Sequence, residues 1–136
     1  MKIKRLSHVS LSTRDLVAIE RFYVDALGFE IAHEFRNPAG ERYGFFLHAG
    51  GGSFLEFFQS KDVSREDGLF RHLCLETDDI EAAAEKLRAS GITDIRVQRG
   101  RTDRILQFFV HDPDGTKVEF QQHDAQSALM PFIKGH

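Results

Sequence analysis

The chain has 136 residues, 41% of them hydrophobic and 29% charged, with a formal net charge of -3. That composition suits a globular protein of about one domain. It excludes a basic face for nucleic acid, a lysine-rich membrane surface and any apolar run near the ~20 residues of a membrane span. The single cysteine, Cys74, excludes an intramolecular disulfide and fits a reducing compartment. Met1-Lys2-Ile3-Lys4-Arg5 is basic but runs into Leu6-Ser7-His8 without an apolar stretch. It therefore does not read as a secretory signal, and a cytoplasmic location is expected.

The first element is a short alternating strand, His8-Val9-Ser10-Leu11-Ser12. Asp15 then caps a helix that carries Leu16, Ile19, Tyr23 and Ala26 on one stripe, and Gly28 ends it in the left-handed conformation. Strands are expected near 29–36, 42–48 and 53–59. Asn37-Pro38-Ala39-Gly40 and Gly50-Gly51-Gly52 serve as the turns between them. The charged stretch 60–70, ending Asp67-Gly68, reads as a linker.

The same order then repeats. His72-Leu73-Cys74-Leu75-Glu76 matches the first strand at an offset of 64, with Thr77 on Thr13, Asp79 on Asp15 and Ile80 on Leu16. A second helix places Ile80, Ala83, Ala84 and Leu87 on its stripe and ends at Gly91. Strands follow near 93–99, 104–111 and 116–122, the last two joined by Asp112-Pro113-Asp114-Gly115. With one residue of slippage Glu119 matches Glu56. Two tandem βαβββ modules are expected, about 3–60 and 69–122, within a single domain of residues 1–124. The tail, 125–136, is a separate short element.

Strand side chains alternate between faces. Val9 and Leu11, Leu55 and Phe57, Leu73 and Leu75, and Val118 and Phe120 face the helices. His8, Glu56, His72 and Glu119 therefore all fall on the faces away from the helices. Two histidines and two glutamates at repeat-equivalent positions, in an apolar cup, would be costly without a shared cation to offset their desolvation. The pattern predicts one divalent metal held by His8, Glu56, His72 and Glu119.

The chain resembles the vicinal oxygen chelate superfamily, which includes glyoxalase I, bleomycin and fosfomycin resistance proteins, methylmalonyl-CoA epimerase and extradiol dioxygenases. The resemblance spans about residues 3–122. It rests on His8-Val9-Ser10-Leu11, Phe22-Tyr23 with Leu27-Gly28-Phe29, Phe54-Leu55-Glu56, His72-Leu73 and Asp112-Pro113-Asp114-Gly115-Thr116-Lys117-Val118-Glu119-Phe120. It implies an α+β fold in which the two modules form an open, cup-shaped barrel around the metal. It also implies a homodimer and a small substrate with two vicinal oxygens.

Two imidazoles and two carboxylates suit Zn or Ni, with Co, Mn or Fe as alternatives. Such a site supports a glyoxalase I-like lyase or isomerase that stabilises an enediolate. The resemblance makes Glu119 and Glu56 the candidate bases, Glu119 first. Two alternatives remain. One is a non-haem iron dioxygenase using His8, His72 and Glu119, in which Glu56 would take a position that substrate or dioxygen needs. The other is a non-catalytic small-molecule binding or resistance protein, a class that commonly lacks the ligands. Ser12 and Ser60 stand where glyoxalase I chains often carry an Arg and an Asn that hold glutathione. Arg99, Arg101 and Arg104 make a basic loop suited to an anionic substrate or simply to solvent, and Cys74 reads as a packing residue.

Overall fold

The computed structural model describes residues 1, 5–63 and 70–133. It divides into two compact units, Met1–Glu66 and Asp67–His136, each with its own sheet. The first residues of the expected first module, the Asp67-Gly68 end of the linker and the last residues of the tail lie outside the described residues.

In the first unit β1 (His8–Thr13) leads to a helix that changes character along its length. It begins as α1 (Leu16–Glu20) and continues as a π-helical turn over Arg21–Ala26. Phe22 and Tyr23, three and four residues beyond Ile19, are buried in the core beside Leu16 and Ile19. Asp15 caps this helix by accepting from the Ala18 N–H. Gly28, at φ 83°, ends it; its N–H donates to the Val24 carbonyl at 3.0 Å.

Three strands follow: β2 (Glu30–Arg36), β3 (Arg42–Gly50) and β4 (Ser53–Gln59). β1 pairs in parallel with β4, and the remaining pairs are antiparallel, giving the order β1-β4-β3-β2. Leu55 and Phe57 of β4 and Phe45 and Leu47 of β3 are buried on the helix side, as their alternation requires. Tyr23 packs on Phe57 with ring centroids 5.3 Å apart.

The second unit repeats the plan with β5 (Leu73–Glu76), α2 (Ile80–Ala89), β6 (Gln98–Arg99), β7 (Leu106–His111) and β8 (Lys117–Gln122), in the order β5-β8-β7-β6. Asp79 caps α2 through the Ala82 N–H, and Ile80, Ala84 and Leu87 are buried. β6 is far shorter than the stretch 93–99 expected for it. Pairing holds only at Gln98 and Arg99, before the chain turns at Gly100, whose N–H donates to the Ile105 carbonyl.

The expected cup-shaped barrel is not what forms. Both sheets are open and four-stranded, with β1 and β2 as the edges of one and β5 and β6 as the edges of the other. Closing a sheet requires its edge strands to exchange backbone hydrogen bonds, which takes more strands or a larger stagger than four short strands supply. Side-chain alternation reports which face a residue occupies. It carries no information on how far a sheet curls.

The tail folds back on the second unit. Asp124 N–H donates to Ser127 Oγ, Ala128 N–H donates to the Asp103 carbonyl, and a short α3 (Met130–Ile133) follows.

Candidate metal-ligating and catalytic site

In the first unit the parallel register sets Ser10 opposite Glu56 and His8 opposite Phe54. His8 and Glu56 thus emerge on the open face, with His8 Nε2 3.8 Å from Glu56 Oε1. Phe46 lies opposite Glu56 in the antiparallel pair, and its ring meets the His8 imidazole edge-on at 5.4 Å. The second unit reproduces this. Cys74 lies opposite Glu119, His72 immediately precedes β5, and His72 Nε2 is 3.0 Å from Glu119 Oε2. Phe109 lies opposite Glu119 and meets the His72 ring at 5.8 Å and 89°. The histidine side chains keep 42% and 37% exposure, while Glu56 and Glu119 keep 13% and 7%. In each unit, then, a sunken carboxylate stands under an accessible imidazole.

The four anticipated residues are therefore brought together as two pairs. Among the described residues no group of three or more His, Cys, Asp or Glu side chains is gathered. The donor geometry within each pair fits a cation. Two donors about 2.1 Å from one ion and at right angles lie about 3.0 Å apart, and wider angles carry them further. The 3.0 Å of His72 and Glu119 corresponds to a right angle, and the 3.8 Å of His8 and Glu56 to a wider angle of about 130°. Neutral imidazole nitrogen and carboxylate oxygen are also the donors that borderline divalent metals take.

The pairs differ in one respect. Gln121, two residues beyond Glu119 on the same face of β8, donates from Nε2 to Glu119 Oε1 at 2.9 Å. The matching position in β4 is Phe58, which stacks among Phe35 and Tyr43. The open face of the first unit is aromatic as a whole, with Phe46, Phe54 and Phe58 half-buried around Glu56. In the second unit Phe109 keeps the place of Phe46, while Lys117 and Gln121 stand where the first has Phe54 and Phe58.

At the offset of 64 that sets His8 on His72, these neighbours fall out of register. The signal was present at an offset of 63: Phe45-Phe46-Leu47-His48 recurs as Phe108-Phe109-Val110-His111, and Gln59 recurs as Gln122. That last pair has a structural use. Gln59 Oε1 accepts from the Leu16 N–H and Gln122 Oε1 from the Ile80 N–H, so the last strand of each module also caps its helix.

Cys74 lies on the same face as His72. Partial burial of its sulfur, with the Glu119 and Glu76 carboxylates adding repulsion, pushes the thiol up to about 12. Cys74 is exposed as a residue, not packed in the core, yet its thiol is neutral at physiological pH. Of the basic loop, Arg99 is engaged within the chain. It makes a two-pronged ion pair with Asp124 at 2.8 and 3.1 Å and also donates to the Arg104 carbonyl. This hydrogen bonding holds the Asp124 carboxyl below the ordinary carboxylate range. Arg99 thus fastens the tail.

Residues 5–120 match the sequence profile described as the Glyoxalase/Bleomycin resistance protein/Dioxygenase superfamily. A lactoylglutathione lyase of Haemophilus influenzae is 31% identical over 125 residues, covering 85% of this chain and 90% of that protein. YaeR of Escherichia coli is 28% identical over 127 residues, covering 88% of this chain and 97% of that protein. Among solved structures, a glyoxalase family protein from Enterococcus faecalis superposes with a TM-score of 0.75 at 28% identity, over 89% of this chain and 99% of the other.

Proposed function

Because this chain belongs to the glyoxalase/bleomycin resistance protein/dioxygenase superfamily, we propose that it is a metal-dependent lyase or isomerase of the glyoxalase I type. The supporting observation is the repeated pair: one imidazole and one carboxylate per module, at equivalent places in the register and at ligand spacing. His8, Glu56, His72 and Glu119 would supply the donors to one divalent ion, Zn or Ni first. When bound, that ion supplies Lewis-acid stabilisation of an enediolate formed from a substrate with two vicinal oxygens.

The chain's own side chains do the rest. The imidazoles, being the exposed members, meet the substrate side of the site. The carboxylates, being sunken, are kept from bulk water. One of Glu56 and Glu119 takes the proton from the carbon beside the chelating oxygens. Phe46, Phe54 and Phe58 offer the substrate an apolar wall around Glu56, while Ser12 and Ser60 offer no cationic or amide contact for glutathione. A substrate with an apolar or aromatic group next to its vicinal oxygens is favoured. Two carboxylates rather than one argue against the dioxygenase triad. Cytoplasmic location and a homodimer complete the proposal, the latter from the family.

The test is metal analysis of protein purified without added metal, followed by turnover of a panel of 2-oxoaldehyde–thiol adducts that includes phenylglyoxal and benzyl thiol. About one equivalent of divalent metal, lost in His8→Ala and His72→Ala, together with turnover of an aromatic adduct above the glutathione one, supports the reading. Failure to take up any divalent metal supplied in excess overturns it.

A further inference from the structure

The two carboxylates occupy matching positions but have different neighbours. Glu119 has partners for both oxygens: Oε2 lies 3.0 Å from His72 Nε2, and Oε1 accepts from Gln121 Nε2 at 2.9 Å. A carboxylate only accepts, so the NH2 end of the amide is the end that faces it. Gln121 is reached directly along β8, because side chains two apart share a face. It is half-buried and set opposite Gln107 of β7. Glu56 lies 3.8 Å from His8, and among the described residues no N–H donor is hydrogen-bonded to it. The residue two further on is Phe58, which has nothing to donate.

We infer that Gln121 is a positioning residue: it fixes the carboxylate of Glu119 so that Oε2 is presented beside His72, and its replacement by Phe58 in the first module leaves Glu56 free to turn. The inference rests on the proposed metal site and deepens it, because it divides the roles of two glutamates that the repeat makes formally equivalent. A neutral donor suits the task. It orients the carboxylate without cancelling its charge, whereas a lysine or arginine at the same place would compete with the cation for the same oxygens. Glu119 is thereby the constant ligand. Glu56, walled by rings that hold it only by packing, is the ligand able to swing away and return.

The experiment uses the intact protein and Zn(II) alone, with affinity read by competition against a chromophoric chelator. Gln121→Met keeps the length of the side chain and deletes the donor. Its Zn(II) affinity is expected to fall about 10- to 100-fold, while the melting temperature of the metal-free protein stays near that of the parent. Phe58→Gln supplies the missing donor to Glu56. It is expected to leave Zn(II) affinity equal or tighter and to lower kcat at unchanged KM on any adduct the parent turns over.

A measurement on the unmodified protein stands beside these in case a variant does not fold. The side-chain amide signals of Gln121 should shift on Zn(II) addition, while those of Gln59, whose NH2 donates to the Arg14 carbonyl, should not. Unchanged affinity in Gln121→Met, or unmoved Gln121 amide signals in protein that does bind Zn(II), overturns the inference and leaves the metal site standing. Absence of Zn(II) uptake by the parent overturns both.

Discussion

At the residue scale, the histidines and glutamates have separable jobs, and substitutions should separate them. His8→Ala removes a donor and leaves the fold of β1 intact. It should weaken metal binding, and excess metal should restore part of the activity. Glu56→Gln keeps an oxygen for coordination but cannot accept a proton at neutral pH. Turnover should fall roughly 10²–10⁴-fold with metal retained. The same profile in Glu119→Gln, with Glu56→Gln active, moves the base to Glu119. Cys74 gives a prediction with a pH sign. Its thiol is raised to about 12, so the reactive thiolate is scarce at pH 8 and grows only as pH climbs toward that value. Iodoacetamide should label the folded, metal-free protein far more slowly at pH 8 than it labels the unfolded chain, and the folded rate should still be rising at pH 10. A folded rate equal to the unfolded one would remove the assigned burial and repulsion.

At the element scale, the starts of α1 and α2 are each held twice, by an aspartate within the turn and by a glutamine from the last strand of the module. Asp79→Ala should cost about 0.5–2 kcal/mol through loss of the Ala82 N–H bond. Leu87→Ala, at a fully buried site on α2, should cost about 2–5 kcal/mol. Both are read from urea unfolding. A cost for Asp79→Ala equal to that for Leu87→Ala would mean that the cap does more than satisfy one N–H. The tail offers a second check. With Arg99→Ala the two-pronged pair to Asp124 is lost. The Ala128 amide, which donates to Asp103, should then exchange faster, while amides of β7 and β8 keep their protection.

At the scale of the whole molecule, repetition dominates. Both modules use a parallel first–last strand pair, and that pair places the histidine, at or just before the start of the first strand, beside the glutamate of the last. No described helix is long and apolar enough to cross a membrane. The proposed dimer is tested by sedimentation velocity at micromolar concentration; a monomer there rules it out.

The sequence by itself determined the two modules, their helix caps, the faces of their strands and the four residues of interest. These follow from local chemistry: alternation assigns a face, aspartate before an apolar stripe starts a helix, and glycine at φ 83° or 105° ends one. Repetition at offsets of 63 and 64 then doubled each signal. Only the tertiary structure decided that β1 pairs with β4, that the sheets stay open, that the first helix continues as a π turn, and that Arg99 is taken by Asp124. It also decided that Gln121, and no described residue of the first module, donates to its neighbouring glutamate. Each of these depends on which distant backbone or side chain arrives, and a pattern of periods and caps carries no term for that. The glutamates read alike in sequence because their difference lies in what stands two residues along: phenylalanine in one module and an amide in the other.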